Sequence, residues 1–414
     1  MRLVMGAQNC GFGPAAELVA VARALSGHER IFVGDGVAAE FAHCNPDAFD
    51  EIRSPAPRCA GLRRLLDGCD GVVSVMDADL VLHGVLAERP VILLDSLFSF
   101  WRRERPLAEI LRLCETLPRT GFGAADRHLG ELSPHERVLA AHLLATHGLV
   151  QNFPGVRQRI AEFAALGVGR VPRTTGALVD HNGLRAAAGG GTSAPSAPAY
   201  DLLVNLGGFR NFLLDFDEHN DYLLLIERWL PDLLRDWPRF RRVLVCGGPF
   251  GGRRARTVAV DGRLADCRLV PQRELLRHVA TTPHYLLTPG LTALHEALAL
   301  GRLPLALPEQ HYAHLFTVRR LERTLFAKTA VGLAALVPGH PVPEDDVAGT
   351  AALVELAGRI RRDDTHYDRF RRCLNERIEQ YLTLGAAERR AGVEELRAAM
   401  DGPPLREMLA EVLA

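Results

Sequence analysis

The sequence predicts two α/β domains, each built on a mostly parallel sheet, followed by a helical C-terminal tail. Three observations predict it. In residues 1–185 short apolar runs alternate with stretches of helical spacing, the pattern of a parallel sheet covered on both faces. The same alternation restarts at residue 201, after an uncharged Gly/Ser/Pro-rich segment, 186–200, that reads as a linker. From 346 to 414 nearly all of the chain is charge-rich and helical in period. The expected architecture is therefore two Rossmann-like domains, 1–185 and 201–345, facing an interdomain cleft, with a tail over 346–414.

The elements follow in order. RLVMGAQ, from Arg2, reads as a strand, and PAAELVAVARAL as a helix with Leu18, Ala22 and Leu25 on one face. RIFVGDG, GVVSVMDAD and RPVILLDS are strand-like, while Cys59–Leu66 and LVLHGVLAE are helix-like. PHERVLAAHLLATHG reads as a helix and LVQNFPG as the end of a strand. In the second domain YDLLVNLGG and RRVLVCGGP are strands that close on Gly turns, with the amphipathic helix DYLLLIERWLPDLLRDW between them. CRLVPQ is a short strand and RELLRHVATT a helix. HYLLTPG, LTALHEALALG, LPLALPE and YAHLFTVRRLER continue the strand–helix alternation.

Composition narrows the function classes. The 414 residues carry 49 basic against 50 acidic side chains, a net charge of −1, without the basic surplus of a dedicated nucleic-acid binder. The eight cysteines form no CxxC pair and the histidines no HExxH, so no metal site is expected. No apolar run is long enough to span a membrane, and the start lacks a secretory h-region. The expectation is a cytoplasmic protein with reduced thiols and no membrane association.

In open parallel sheets ligands bind beyond the carboxyl ends of the strands, so the residues just after each strand are the candidates. The first turn carries Gly11, Phe12 and Gly13 ahead of a helix, an arrangement that lets backbone approach a ligand or packs a tight turn. It departs from a dinucleotide fingerprint, having Gly-x-Gly only at its end. Later turns are acidic: Asp35, Asp77, Asp79 and Asp95. Asp95 stands out beside Phe98, Phe100 and Trp101, a carboxylate next to rings on which a planar acceptor can stack. The competing reading makes Asp95 a helix cap and the rings core. In the second half Gly207 and Gly208 precede Arg210, and Gly247 repeats the device, suiting a pyrophosphate. Gly290 leads into a helix carrying Thr292 and then Glu296, an acid on an apolar helix that can accept a ribose diol. Glu309 and Gln310 follow the next strand, where sugar hydroxyls can be read.

These motifs as a set resemble a known group. LTPGLTALHEALALGRLPLALPEQHY resembles the donor-site segment of GT-B glycosyltransferases, among them the peptidoglycan N-acetylglucosaminyltransferase family. LLVNLGG, VLVCGG and LVPQRELL precede it in the expected order, so the resemblance covers about residues 200–325. The first half shares only the Gly-rich first turn and the architecture. GAQNCGFGPAAEL, the DSL at Asp95–Leu97, LLTPGLTALHEA and LPEQHYAH are similar more narrowly to cytosylglucuronate synthases of nucleoside-antibiotic pathways. Those enzymes join a nucleobase nitrogen to a glucuronyl group from UDP-glucuronate. The resemblance implies Glu296 on the ribose, Gly207 and Gly208 near the diphosphate, and Gln310 near the sugar. The peptidoglycan enzymes carry a His after the glycines of the first loop, where this chain has Pro14, Ala15 and Ala16. A different base is then required, or none, and Asp95 and Glu17 are the catalytic candidates.

The expected activity is metal-independent, inverting transfer from a UDP-sugar (UDP-glucuronate or UDP-N-acetylglucosamine) to a small acceptor such as a heterocyclic base. The UDP-sugar is substrate and no cofactor is expected. The rivals are a UDP-sugar epimerase of the same fold and a non-catalytic GT-B-like partner subunit. The candidate acceptor residues are Gly11, Phe12, Gly13, Asp79, Phe98 and Trp101. The candidate donor residues are Gly207, Gly208, Arg210, Gly247, Gly290, Thr292, Glu296, Glu309 and Gln310.

Overall fold

A computed structural model describes residues 1–54, 59–189, 198–208, 220–248 and 255–413. They form two compact units, Met1–Asp180 with Met400–Ala414, and His181–Ala399. Most of the expected linker and Arg210 lie outside the described residues.

The first unit begins β1 (Arg2–Ala7), α1 (Phe12–Ala24), β2 (Glu29–Val33), α2 (Gly36–Cys44), β3 (Glu51–Arg53) and α3 (Cys59–Asp67). It continues β4 (Gly71–Val75), α4 (Ala78–Leu86), β5 (Val91–Asp95), α5 (Leu107–Glu115), α6 (Phe122–His128) and α7 (Pro134–Leu144). It closes with β6 (His147–Gln151), α8 (Val156–Ala164) and β7 (Arg173–Thr175). The strands pair in parallel in the order β3-β2-β1-β4-β5-β6-β7. Every residue of β4 and β5 is buried, as a strand covered on both faces requires, which is why these runs are apolar without alternation.

The second unit runs α9 (His181–Ala188), β8 (Leu202–Gly208), α10 (Asp221–Asp236), β9 (Arg242–Gly248), β10 (Ala255–Val260) and β11 (Arg263–Arg268). Then come α11 (Gln272–Thr281), β12 (His284–Leu287), α12 (Leu291–Ala299), β13 (Leu305–Ala306) and α13 (Tyr312–Arg320). Helices α14 (Leu325–Lys328), α15 (Leu333–Leu336), α16 (Asp346–Arg362), α17 (Asp364–Thr383) and α18 (Ala386–Met400) complete it. Its sheet has the order β10-β11-β9-β8-β12-β13, and all pairs are parallel except the β10–β11 hairpin. That hairpin turns on Asp261 and Gly262, both at positive φ, the backbone a two-residue turn demands.

The tail is shared between the units. Helices α16 to α18 complete the second, whereas 400–414, with α19 (Leu405–Leu413), belong to the first. The return is fixed on β7: Gly176 N–H donates to Pro403 O at 2.6 Å and Asn152 Nδ2 to Asp401 O at 2.5 Å. The backbones touch there, so a Cβ on Gly402 would lie 2.8 Å from Thr175 O. Arg173 adds an ion pair to Glu411. Gly402→Val is therefore expected to lift residues 401–414 off β7. Limited trypsinolysis should then cut at Arg406 much faster than in wild type, whereas Gly169→Ala, where a Cβ meets nothing within 4 Å, should leave the rate unchanged.

Candidate functional site

Each sheet has one place where successive connections turn to opposite sides, and the crevice at the carboxyl ends there is the preferred ligand position. In the first unit it lies between β1 and β4, because β2 and β3 follow β1 to one side and β5 to β7 follow β4 to the other. The β1–α1 turn contains Gly11, at φ 155°, as the N-cap of α1, with no side chain to cap it. Asn9 Oδ1 accepts Val37 N–H at 2.8 Å, which ties this turn to α2. Gln8 Oε1 is buried and without a hydrogen-bond partner among the described residues. Gly13 is half-buried; Phe12 is buried against Phe41, and Glu17 is buried within α1 at 1% exposure.

Across the crevice β4 is followed by Met76, a non-glycine residue held at φ 54°, and then by Asp77. Ser74 Oγ accepts Asp77 N–H, and Asp77 Oδ1 caps α4 by accepting from Asp79 and Leu80 N–H. Oδ2 makes no hydrogen bond among the described residues. Burial, reinforced by the charge of Asp79, pushes the Asp77 carboxyl up to about 6. Asp79 itself is exposed and paired with Arg137 at 3.2 Å. Sequence reasoning noted Asp77 among the acidic turns but chose its neighbour; the strand-end position was the available signal.

Asp95 is a correction. It ends β5 at 0% exposure, with its oxygens accepting Leu97 N–H at 2.7 Å and Trp101 Nε1–H at 2.6 Å, and its Oδ2 lying 2.9 Å from His142 Nε2. Phe98, fully buried, lies edge-on to His142, and Trp101 is 4% exposed. The rings are core and the carboxyl group is their hub, so neither meets an acceptor. The competing reading holds for the aromatics, which are core, but not for the cap, since the next helix starts at Leu107 with Pro106 as its N-cap.

In the second unit the crevice lies between β8 and β12. β8 pairs with β9 on one side and β12 on the other, and the β9 register slips between Asn205 and Gly208. Asn205 fills the slip: Oδ1 accepts Gly207 N–H and Nδ2 donates to the Tyr285 hydroxyl, both at 3.0 Å. Gly207 sits at φ 67° and Gly247 at φ 126°, and a Cβ on Gly247 would lie 2.5 Å from Gly207 O. Only glycine permits these two turns to abut. Gly208 ends β8 beside Gly248.

At the end of β12 Thr288 N–H returns to Asn205 O at 2.9 Å, and Gly290 is the N-cap of α12, without a capping side chain. Thr292 is buried in its first turn. Glu296 is 2% exposed, with Gln272 Nε2 donating to it. Gln272, at the start of α11, was not singled out from LVPQRELL; its place next to Glu296 is a tertiary fact. Glu309 is buried, and its Oε1 accepts Leu333 N–H at 3.1 Å at the start of α15. Burial pushes it up to about 7. Gln310 is half-buried, its Oε1 without a hydrogen-bond partner among the described residues.

Side-chain capping is uneven in this unit; α15, which follows no strand, has Gly332 as its N-cap and no side-chain cap bond. α11 and α12, which start at strand carboxyl ends, have Pro271 and Gly290 as N-caps, and α13 has His311, none giving a side-chain cap bond. α14, α16 and α17 lie elsewhere and are capped by the side chains of Thr324, Asp345 and Asp363.

No family model matches the chain, and no curated protein matches it. Among solved structures it is similar to UGT2 of Phytolacca americana, complexed with UDP-2fluoro-glucose and pterostilbene, at 12% identity over 96% of this chain and 98% of that one, with a TM-score of 0.44. It is also similar to the spinosyn forosaminyltransferase SpnP at 15% identity, over 100% and 98% of the two chains, with a TM-score of 0.46. The glycotransferase of kitacinnamycin aligns at 16% identity over 100% and 99%, with a TM-score of 0.41.

Asp95→Ala leaves Leu97 N–H and the Trp101 indole N–H without an acceptor in the core and strips His142 of its partner. At about 1–3 kcal/mol per orphaned group, the expected loss is about 3–5 kcal/mol. Thermal melting checks this; unchanged stability would restore Asp95 as a site residue.

Proposed function

We propose that the chain is a GT-B glycosyltransferase that moves a sugar from a UDP-sugar to a small acceptor without a metal ion and with inversion. One observation carries the reading. At the crevice between β8 and β12 lie the abutting Gly207 and Gly247 turns and the start of α12, which no side chain caps, and the same helix carries buried Glu296 bonded to Gln272. These are the segments on which the sequence resemblance rests.

The chemistry fits a nucleoside diphosphate. Helix-start and turn N–H groups favour the diphosphate, whose charge grows as the sugar leaves. Glu296 with Gln272 suits the ribose diol, and Gln310 has an acceptor oxygen for a sugar hydroxyl. In the transfer the acceptor's nitrogen or oxygen attacks the anomeric carbon, the bond to the diphosphate oxygen breaks with its electron pair, and the acceptor's proton passes to a base, for which the first unit offers Asp77. Asp77 takes this role over Asp95 and Glu17 because it follows a central strand, is half-buried rather than enclosed, and keeps Oδ2 unbonded. Gln8 Oε1 offers the same acceptor a second contact. A nucleobase acceptor rests on the narrower resemblance alone, since the rings that favoured it are core.

The test is UDP release from a panel of UDP-sugars, UDP-glucuronate and UDP-N-acetylglucosamine first, with cytosine, phenols and sugars as acceptors. Epimerised sugar without transfer would assign an epimerase, and UDP binding without turnover a partner subunit. Glu296→Gln should weaken UDP at least tenfold by calorimetry, a lost charge-assisted bond being worth about 1.5–3 kcal/mol. Asp77→Asn keeps a good N-cap but no base, so turnover should fall about a hundredfold or more with UDP affinity unchanged. The base must be ionised, so wild-type kcat should fall as pH drops through about 6. The charges around it are Asp79 on α4, with Arg137 of α7 pairing both Asp79 and Asp126 of α6. An acid limb unchanged in Asp77→Glu would remove Asp77 as base.

A further inference from the structure

We infer that His314 is a neutral hydrogen-bond donor to a phosphate oxygen of the ligand at the start of α12. The inference rests on the donor reading and assigns a residue which that reading does not use.

His314 lies in the first turn of α13 and is 6% exposed. Its Nδ1 accepts Gln310 N–H at 3.4 Å, so the one proton of the neutral ring sits on Nε2. The His311 ring lies against it, centroids 3.8 Å apart. Burial and this neighbour hold His314 well below the usual imidazole range, and burial takes His311 down to about 4, Asp346 being the charge that opposes the shift at His311. Protonating both would bring two buried cations together. With no anion beside it, the ring is therefore a donor without a charge.

Nε2 points to the start of α12. A Cβ on Gly290 would lie 3.5 Å from it, so glycine leaves this space open. Gly290 has an ordinary φ of −78°, so backbone strain does not require the glycine. Nε2 makes no hydrogen bond among the described residues. An N–H on a ring only 6% exposed, aimed at the positive end of a nine-residue helix whose N-cap provides no oxygen, suits an anionic acceptor. A phosphate oxygen meets that need, whether it belongs to a nucleotide or to free pyrophosphate.

The two nitrogens are separable. His314→Asn keeps an oxygen near the Nδ1 position for Gln310 N–H but has nothing at Nε2, whereas His314→Gln places an amide N–H near Nε2. Calorimetry on the full chain with UDP, uridine and inorganic pyrophosphate is the experiment. His314→Asn should bind UDP at least tenfold more weakly and uridine as wild type does, and His314→Gln should recover most of the UDP affinity. In the wild type the Nε2–H proton resonance should shift with UDP and stay in place with uridine. A folded His314→Asn that binds UDP normally, or loses UDP and uridine alike, overturns the inference and leaves the donor reading intact. Pyrophosphate binding that depends on His314 without any UDP binding supports the anion contact and sinks the donor reading. A wild type that binds neither sinks both.

Discussion

The second unit depends on how β8 satisfies two neighbours at once. Its pairing with β12 runs in step from Leu202 to Asn205 and continues through Thr288 N–H, but its pairing with β9 slips beyond Asn205. A slip leaves one backbone N–H without a ladder partner, and Asn205 takes it with its own side chain. The other end of that amide holds the Tyr285 hydroxyl, so the turn, the slip and the neighbouring strand are one hydrogen-bonded unit. Gly207 and Gly247 abut because of it, and the crevice acquires its shape from bonds internal to the sheet.

Helix starts differ as well. α14, α16 and α17 carry Thr or Asp caps, which spend their first N–H groups locally. Those that begin at the carboxyl edge of the sheet do without such side chains. A cap adds about 1 kcal/mol, so the edge helices forgo local stability, and the packing of their apolar faces compensates. Leu294, Ala297 and Leu298 of α12 are buried to that end.

The alternation of strands and helices was legible because both sheets are buried on two faces, which makes each central strand a continuous apolar run. Short edge pieces were not: β3 and β7 have three residues each, too few for any period. The β10–β11 hairpin left a local trace in Asp261-Gly262, hidden by the mixed character of ARTVAV. At the site, glycine turns and the position of Glu296 could be read from spacing. The roles of the acids could not. Asp77 and Asp95 both follow central strands, and only tertiary packing makes one half-buried with an oxygen to spare and the other the enclosed partner of Trp101 and His142. The bond from Leu333 to Glu309 was hidden for the same reason, as Leu333 lies 24 residues away in sequence.

The return of residues 400–414 to β7 bears on how the protein is made. The second unit is an insertion in the first, so the ribosome releases all of His181–Ala399 before the first unit has its last segment. Until then β7 has no Pro403 carbonyl for Gly176, and Asn152 has no Asp401. During synthesis the first unit therefore lacks the segment that covers the carboxyl end of β7, while the second can already be complete. Backbone and side-chain donors left open there invite contact with other chains. A nascent chain stalled short of residue 400 is accordingly the form of this protein with most need of a chaperone.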